Sequence, residues 1–267
     1  MLVLAAAAFA SAGYAAESGA APLTAAADQA AFDRAAARLW KEVFTDPGTN
    51  DWRLRWFLDG EVGTVKNTPA GMELTAGPEF KNDAHHMVLW TKESFAGDLK
   101  IEYEYTRLDR ATQCVTILYI QAPGNGDGLY QKDITKWNDL RRVPAMNVYF
   151  DHMNTYHLSY AAFSGGGDGA SYIRARRYMP GKDGLNDTDL KPDYFPKGLF
   201  QTGVPHKITV IKKSSDLFVR VENAGQTAFC HMANPDLPEI TEGRVGLRHM
   251  FTRAARYRSF RISVPTQ

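Results

Sequence analysis

The sequence has no excess of charge of either sign. Its 267 residues contain 31 Lys and Arg against 30 Asp and Glu, which leaves a formal net charge of +1. Nucleic-acid-binding domains usually carry a clear basic excess, because contacts to phosphates supply much of their affinity. The low net charge therefore argues against a dedicated nucleic-acid binder.

Cysteine is also scarce, since Cys114 and Cys230 are the only two. Two cysteines so far apart cannot form the short, repeated spacings of a zinc site. Both lie in apolar runs typical of strands, QCVTILYI and TAFCHM, so we expect two buried thiols rather than a disulfide. The sequence likewise has no glycine-rich phosphate loop, no nucleophile elbow and no dinucleotide fingerprint.

Long apolar runs are missing after the first residues. No later stretch approaches the roughly 18 apolar residues of a membrane-spanning helix, so no membrane span is expected. Residues 1–15 form an apolar segment that ends in small residues, as signal peptides do, although the usual Lys or Arg near the start is missing. We expect an incomplete signal peptide over 1–15, a linker over 16–27, and a periplasmic or secreted protein.

Apolar residues at helical spacing follow the linker. In DQAAFDRAAARLWKEVF, Asp28 suits the N-cap position, and the apolar residues after it recur on one face. The pattern predicts an N-terminal helix over 28–44 that docks on the rest of the domain. The residues of its apolar face are Phe32, Ala36, Leu39, Trp40 and Val43.

After the predicted helix, apolar and polar residues alternate, and turn residues recur about every ten positions. Many short strands at this spacing predict an antiparallel β-sandwich or barrel, and residues 28–267 fit a single domain of that kind. In YHLSYAAF, Tyr156, Leu158 and Tyr160 share one face of the strand. His157 lies on the opposite face. We expect the apolar faces to form the core and the polar faces to meet solvent or line a groove.

One long segment, residues 172–203, interrupts the strand pattern with Gly, Pro and Asp. Loops of this length in compact domains are commonly functional or disordered, and five aromatic residues here predict an ordered loop over the sheet. Its aspartates lack the spacing and the final glutamate of an EF-hand loop. We therefore predict no metal and no cofactor, with a structural calcium ion as the alternative. The aspartates are Asp183, Asp187, Asp189 and Asp193.

The end of the chain carries a family resemblance. The segment GRVGLRHMFTRAARYRSFRISV, in which a Gly-hydrophobic-Gly-Leu strand precedes Y-R-S-F-R-I, resembles the ending of concanavalin-like glucanase and keto-glycoside hydrolase-type jelly rolls. Together with FTDPGTNDW, GMELTAG, MVLWTKESFAGDLKIEYEYTRLD and HKITVIKK, it makes the chain resemble the bacterial family called domain of unknown function 1961, over about residues 43–264.

The resemblance implies an all-β fold, a concanavalin A-like antiparallel β-sandwich or jelly roll, preceded by the short N-terminal helix. It also implies an oligo- or polysaccharide partner that is handled on the concave sheet. One jelly-roll scaffold hosts hydrolases, lyases and pure binding modules, so the reaction must be inferred from the residues.

A polysaccharide lyase that acts on a uronic-acid-containing glycan is our leading hypothesis. β-Elimination needs a cation or an amide to neutralise the sugar carboxylate, a base for the C5 proton and an acid for the leaving oxygen. The central strands are rich in these groups. Our candidate catalytic residues are His157, Tyr160 and Arg177, and our candidate substrate-binding residues are His86, Tyr119, Gln121, Trp137 and Arg248.

Strand geometry divides two of the candidates. His157 and Tyr160 point to opposite faces of a regular strand, so they cannot both reach one substrate unless a bulge intervenes. We favour His157 as the functional residue, because Tyr160 belongs to the face that suits the core.

Two alternatives stay open at this point. A retaining glycoside hydrolase, including one of the keto-glycoside type, needs two carboxylates about 5–5.5 Å apart, and the nearest pair is Glu102 and Glu104. Their i, i+2 spacing departs from the E-x-D-x-x-E pattern of glycosidases with this fold. A non-catalytic binding module needs only exposed aromatic residues, such as Trp137.

Overall fold

The computed structural model describes residues 21–163 and 171–266. The predicted signal peptide and the first part of the predicted linker lie outside the described residues. The described part contains two antiparallel sheets of eight strands each. Its helices are α1 (Ala21–Ala36) and α2 (Met146–His152), and short 3-10 segments span Trp52–Leu54, Asp83–His85 and Ile134–Arg141.

We call the first sheet the back sheet. In spatial order it consists of β14 (Thr227–Met232), β13 (Asp216–Glu222), β12 (Pro205–Lys213), β7 (Leu99–Arg107), β16 (Ala254–Pro265), β4 (Gly71–Thr75) and β3 (Thr64–Thr68), with β1 (Trp40–Asp46) also paired to β16.

We call the second sheet the front sheet. In spatial order it consists of β11 (Asp189–Tyr194), β10 (Ser171–Tyr178), β9 (Thr155–Phe163), β8 (Thr116–Ala122), β15 (Glu242–His249), β5 (Met87–Thr91) and β2 (Trp56–Asp59), with β6 (Phe95–Ala96) also paired to β15.

The main core lies between the two sheets. Alternate residues of β7 and β9 point into it, including Tyr103 from the back sheet and Tyr160 from the front sheet. The hydroxyl of Tyr103 donates to that of Tyr160 across the interface at 3.0 Å. The predicted all-β jelly-roll sandwich is confirmed, because the alternation along these strands is enough to place one face of each sheet in the core.

A segment of the chain closes over the outer face of the front sheet. Residues 123–154 connect β8 to β9, and we call them the cover. Trp137 and Tyr149 of the cover pack against Trp90 and Tyr119 of the sheet in a second apolar cluster. The outer face is therefore largely buried here, whereas the sequence pattern predicted a solvated face or an open groove.

Asp59, at the end of β2, holds the cover to the sheet. Its buried carboxylate accepts hydrogen bonds from Trp90 Nε1 at 2.7 Å, Arg141 Nε at 2.6 Å and the Tyr149 hydroxyl at 2.9 Å. Asn138 Nδ2 donates to the second carboxylate oxygen at 2.6 Å. Three of the four donors belong to the cover, so one carboxylate links both layers.

The N-terminal helix differs from the prediction over 28–44. Helix α1 covers Ala21–Ala36, and Trp40–Asp46 form strand β1 instead. Phe32 packs on the back sheet as expected, whereas Leu39 is 78% exposed and lies on no helical face. The helix prediction was wrong beyond residue 36, because pairing with β16 outweighs local helical spacing.

The predicted loop 172–203 also contains two strands. Residues 171–178 form β10, paired to β9, and residues 189–194 form the edge strand β11. In β10 the inward residues are Ile173 and Ala175, and the small size of Ala175 weakens the period-2 signal. Arg174 and Arg176 occupy the outer face of this strand, where they pair with Asp193 and Asp189.

Candidate functional site

Four of the predicted residues meet under the cover. On β8 and β9, Tyr119 and His157 are direct cross-strand partners on the outer face of the front sheet, because Leu118 and Leu158 point into the core. We call the group of Arg248, His157, Tyr119, Tyr178 and His86 the front-face cluster. Of these, only Tyr178 was not predicted.

Arg248 carries a buried charge without a carboxylate partner. Its side chain is fully buried, and it forms no salt bridge with any carboxylate in residues 21–163 or 171–266. Nη2 donates to the carbonyl oxygen of Pro144 at 2.7 Å and to His86 Nδ1 at 2.6 Å, while Nε and Nη1 have no hydrogen-bond partner among the described residues. The guanidinium lies 4.6 Å from the ring centroid of Tyr149. A buried cation without a carboxylate partner is costly, and an anion beside it would offset that cost.

His157 is a neutral imidazole in this setting. It is 4% exposed, and neither ring nitrogen has a hydrogen-bond partner among the described residues. Its ring packs edge-on against Tyr119 and Tyr178, with centroid distances of 5.9 and 5.1 Å. Burial, followed by the charges of Arg176 and Arg248, holds its pKa well below the ordinary value. The residue is therefore in the form that accepts a proton.

The tyrosine hydroxyls of the cluster stay protonated. Burial is the main cause that raises the pKa of Tyr119, and it raises the pKa of Tyr178 well above the ordinary value. The Tyr119 hydroxyl lies beside Tyr178 and Arg248, although neither contact has hydrogen-bond geometry. The cluster thus combines a cation, a neutral base and protonated phenols.

His86 contributes an acceptor rather than a charge. Burial and the neighbouring Arg248 lower its pKa to about 3. The neutral ring therefore accepts the hydrogen bond from Arg248 and stacks on Phe251 with a centroid distance of 4.8 Å. These contacts fix the position of the Arg248 guanidinium.

The structure does not bring Tyr160 or Gln121 into the cluster. Tyr160 lies in the core between the sheets, as the strand alternation predicts. Gln121 has a φ of 54°, which interrupts the alternation after Tyr119. Its Nε2 donates to the carbonyl oxygens of Phe95 and Gly97, so it supports the turn beside β6.

Trp137 is buried, although a binding module would need it exposed. The side chain is part of the cover, where it faces the sheet and is 2% exposed, and its Nε1 donates to the carbonyl oxygen of Gln131 at 2.9 Å. Its large apolar area favours packing against the sheet rather than exposure to a ligand.

Arg177 faces the opposite side of the front sheet from His157. It pairs in register with Tyr156, whose ring lies in the core, whereas its neighbour Arg176 pairs with His157. Arg177 reaches a cleft of about 620 Å³ at one end of the sandwich, which we call the end cleft. Asn154, Glu239 and Arg244 also line this cleft.

The two carboxylates considered for a hydrolase lie away from both the front-face cluster and the end cleft. Glu102 and Glu104 project from the outer face of the back sheet, since Tyr103 between them points into the core. Glu102 forms a salt bridge with Lys100 at 3.1 Å. Neither glutamate lines the end cleft or contacts the front-face cluster.

The described ranges offer no candidate metal centre. No group of three or more His, Cys, Asp or Glu in them is arranged to hold an ion. Both cysteines are free: Cys230 is buried and Cys114 is half-buried. Among the helices of these ranges, none has the length and apolar character to cross a membrane.

Solved structures with the same architecture are lectin-like β-sandwiches. A Bacillus subtilis protein of unknown function with a galectin-like fold is 18% identical, has a TM-score of 0.63, and is matched over 85% of this chain and 100% of its own. Basic winged bean lectin, solved with Tn-antigen, is 10% identical with a TM-score of 0.53, over 84% and 98% of the two chains. A legume lectin-like domain from Entamoeba histolytica is 8% identical with a TM-score of 0.53, over 84% and 97%.

The fold therefore places this protein in the class of galectin-like and legume-lectin-like jelly rolls. Residues 48–262 match the model of the family described as domain of unknown function DUF1961, and the chain belongs to this family. No curated protein matches the chain.

Proposed function

We propose that the protein binds a uronic-acid-containing glycan and cleaves it by β-elimination at the front-face cluster. The observation that carries the proposal is Arg248, a buried guanidinium with two unpartnered nitrogens and no carboxylate. A sugar carboxylate would supply the missing anion. The fold shared with lectins supports a saccharide ligand.

The cluster contains one group for each requirement of the reaction. Arg248 would hold the C6 carboxylate and stabilise the charge that spreads onto it when C5 loses its proton. Neutral His157 would take that proton. The electron pair of the C5–H bond then forms the C4–C5 double bond, the C4–O4 bond breaks, and Tyr119 or Tyr178 protonates the leaving oxygen.

Access to the cluster requires the cover to move. His157 is 4% exposed, and the fully buried Arg248 lies beneath Tyr149 and Pro144 of the cover. Asp59 holds the cover through hydrogen bonds, and the packing of Trp137 and Tyr149 on the sheet adds to this attachment. Both kinds of contact must break before the outer face is uncovered. We propose that the glycan binds after residues 123–154 have swung away from the sheet.

Carbohydrate binding without turnover is the second candidate function. The end cleft is open to solvent, while the front-face cluster is covered. A binding module would use the open site alone and would need no proton transfer.

Export belongs to the same proposal, because a polysaccharide substrate is found outside the cytoplasm. It depends on the signal-like residues 1–15. N-terminal sequencing of the protein recovered from the periplasm or the medium would show a shortened chain, and recovery of the intact chain from the cytoplasm alone would contradict export.

Arginine-to-lysine variants test the catalytic role of the cluster. Arg248→Lys keeps the charge but loses the planar fork, so polyuronate turnover should fall by at least tenfold, which corresponds to about 1.4 kcal/mol of transition-state stabilisation. Arg256→Lys is the matched control, because Arg256 pairs with Glu73 on the back sheet. Equal turnover by both variants would contradict the proposal.

A further inference from the structure

The end cleft has the features of a second ligand site, separate from the front-face cluster. It lies beside the start of the cover and the end of β10, and its volume of about 620 Å³ falls within the usual range for sites that enclose small ligands. Arg177 enters it from the inner face of the front sheet, with its guanidinium 5.9 Å from the ring centroid of Tyr156.

Within the described part of the chain, Arg177 is a second buried cation without a carboxylate partner. Its side chain is nine-tenths buried, and its hydrogen bonds go only to neutral acceptors. Nε donates to the carbonyl oxygen of Pro238 at 3.2 Å, and Nη1 donates to Asn154 Oδ1 at 3.2 Å and to the carbonyl oxygen of Tyr178. Burial lowers the pKa of Arg177 to about 10. An anion in the cleft would offset this cost.

The other charges of the cleft leave room for an anion. Two of the three lining carboxylates are already paired, Asp133 with Arg244 at 3.1 Å and Glu239 with Lys212 at 2.7 Å. Glu242 accepts a hydrogen bond from Ser94 Oγ at 3.4 Å, and neither Glu242 nor the exposed Lys132 forms a salt bridge with a described residue. Among the lining charges without a salt bridge to a described residue, Arg177 is the buried cation.

Amide groups beside Arg177 suit a hydroxyl-rich ligand. Asn154 uses its oxygen to accept from Arg177, and its Nδ2 forms no hydrogen bond with a described residue. Asn125 also lines the cleft. The lining contains no histidine and no tyrosine hydroxyl, and two of its three carboxylates are held in salt bridges, so it lacks the combination of groups found in the front-face cluster.

We propose that the end cleft is a non-catalytic binding site for a uronic acid, in which Arg177 holds the sugar carboxylate and Asn154 a neighbouring hydroxyl. The site does not depend on lyase activity at the front-face cluster. In a longer glycan it would anchor one acidic residue to the protein while other residues extend along the surface.

Ligand-observed NMR titration with D-galacturonate and D-glucuronate tests the proposal. The matched neutral probes are D-galactose and D-glucose, which lack only the carboxylate. We expect at least tenfold tighter binding of one uronate than of its neutral counterpart. Equal binding of each acid and its neutral sugar, or no binding of either uronate, would overturn the proposal.

Substitutions of cleft residues test whether the uronate binds in the end cleft. Arg177→Lys should weaken uronate binding at least tenfold, while Arg176→Lys, the next residue on the opposite face, should change it by less than twofold. Because Arg177 is buried, Asn154→Ala and the exposed variant Lys132→Gln serve as milder tests, each with an expected loss of at least threefold. Unchanged affinity in folded Arg177→Lys, or in both milder variants, would overturn the assignment.

One further variant separates this proposal from the lyase proposal. Arg248→Gln should abolish polyuronate cleavage and leave uronate binding at the cleft within twofold of wild type. Loss of binding in Arg248→Gln with unchanged binding in Arg177→Lys would show that the uronate occupies the front-face cluster instead. If no cleavage is ever observed, the titrations still test the cleft by themselves.

Discussion

Buried histidines make the stability of this protein sensitive to mild acid. Burial lowers the pKa of His86 to about 3 and that of His249 to about 4, against 6.5 for an unperturbed histidine. Between the lowered pKa of each folded histidine and 6.5, that histidine is protonated in the unfolded chain and neutral in the folded protein. The free energy of unfolding therefore falls as the pH drops below 6.5. Each histidine should cost about 1.4 kcal/mol per pH unit in that range.

Urea denaturation at pH 7.5 and pH 5.0 measures this effect. We expect the free energy of unfolding to be lower at pH 5.0 by several kcal/mol, with little contribution from carboxylates at that pH. An unfolding free energy that stays constant or increases towards pH 5.0 would contradict the neutral buried histidines.

The two faces of β9 carry residues with different expected roles, His157 in catalysis and Tyr160 in stability. His157→Gln removes the proposed base at nearly constant volume and should reduce turnover at least a hundredfold. Tyr160→Phe should keep turnover but lower the free energy of unfolding by about 1–3 kcal/mol, because the buried Tyr103 hydroxyl loses its acceptor. An active His157→Gln beside an inactive, fully stable Tyr160→Phe would reverse the assignment of the two faces.

At the residue level, the alternation of apolar and polar residues predicts which face of a strand a side chain lies on. It predicts less well what surrounds that side chain. It placed His157 opposite Tyr160, and the structure agrees. It did not predict the positive φ of Gln121, because the bulge arises from pairing with β15 and from the turn beside β6. Tyr178 is not among the predicted residues, because the sequence pattern predicts a loop over residues 172–203 whereas Ser171–Tyr178 form a strand. On a strand, Tyr178 lies on the same face as Arg176, two residues before it. Arg176 is the cross-strand partner of His157, so Tyr178 lies on the face of His157.

The cover is the element that decides whether the front-face cluster is accessible, and the carboxylate of Asp59 accepts three hydrogen bonds from it. Asp59→Asn would leave the buried charge of Arg141 without its carboxylate partner, and the loss of such a partner typically costs about 3–5 kcal/mol. Glu61→Gln is the matched control, because Glu61 pairs with Arg142 in an exposed salt bridge that is worth about 0–1 kcal/mol. Urea denaturation of both variants measures the difference, and equal unfolding free energies would contradict the role of Asp59.

Amide hydrogen exchange tests whether the cover moves when glycan binds. In the inactive variant His157→Gln, a saturating polyuronate that cleavage assays identify as substrate should speed exchange in helix α2, because the cover leaves the sheet. Exchange in β7 of the back sheet is the internal reference and should not change. Slower exchange in α2 on ligand binding would contradict opening of the cover.

Element boundaries were least predictable where pairing competes with local preference. The apolar residues of WKEVFTD continue the helical spacing of the residues before them. The segment nevertheless forms β1, because it pairs with backbone groups along the edge of β16. SYIRARRY forms β10 although its inward face contains the small Ala175. In both segments long-range hydrogen bonds decide the structure, and these are not visible in a local window.

For the whole molecule, the sandwich could be predicted and the cover could not. Short alternating strands with regular turns require two sheets that bury one face each, whatever the details of each strand. The position of residues 123–154 depends instead on tertiary contacts such as the carboxylate of Asp59 with its four donors. The sequence pattern therefore indicated the polar face of the front sheet, but not that this face is covered.

The division of Arg177 and Arg248 between two sites also arises only in the assembled fold. Arg248 lies on the outer face under the cover, and Arg177 enters the end cleft from the inner face. The sequence pattern makes both arginines candidates for one lyase site, because strand faces cannot be compared between β10 and β15 until the register is known.

Absorbance near 235 nm, followed while the wild-type protein is incubated with a panel of polyuronates, tests the central claim most directly. β-Elimination creates a C4–C5 double bond conjugated to the carboxylate, so the account predicts a rise in absorbance with at least one polyuronate and none with neutral glycans. No rise with any polyuronate, together with release of reducing sugar from a neutral glycan, would contradict the account and identify a hydrolase.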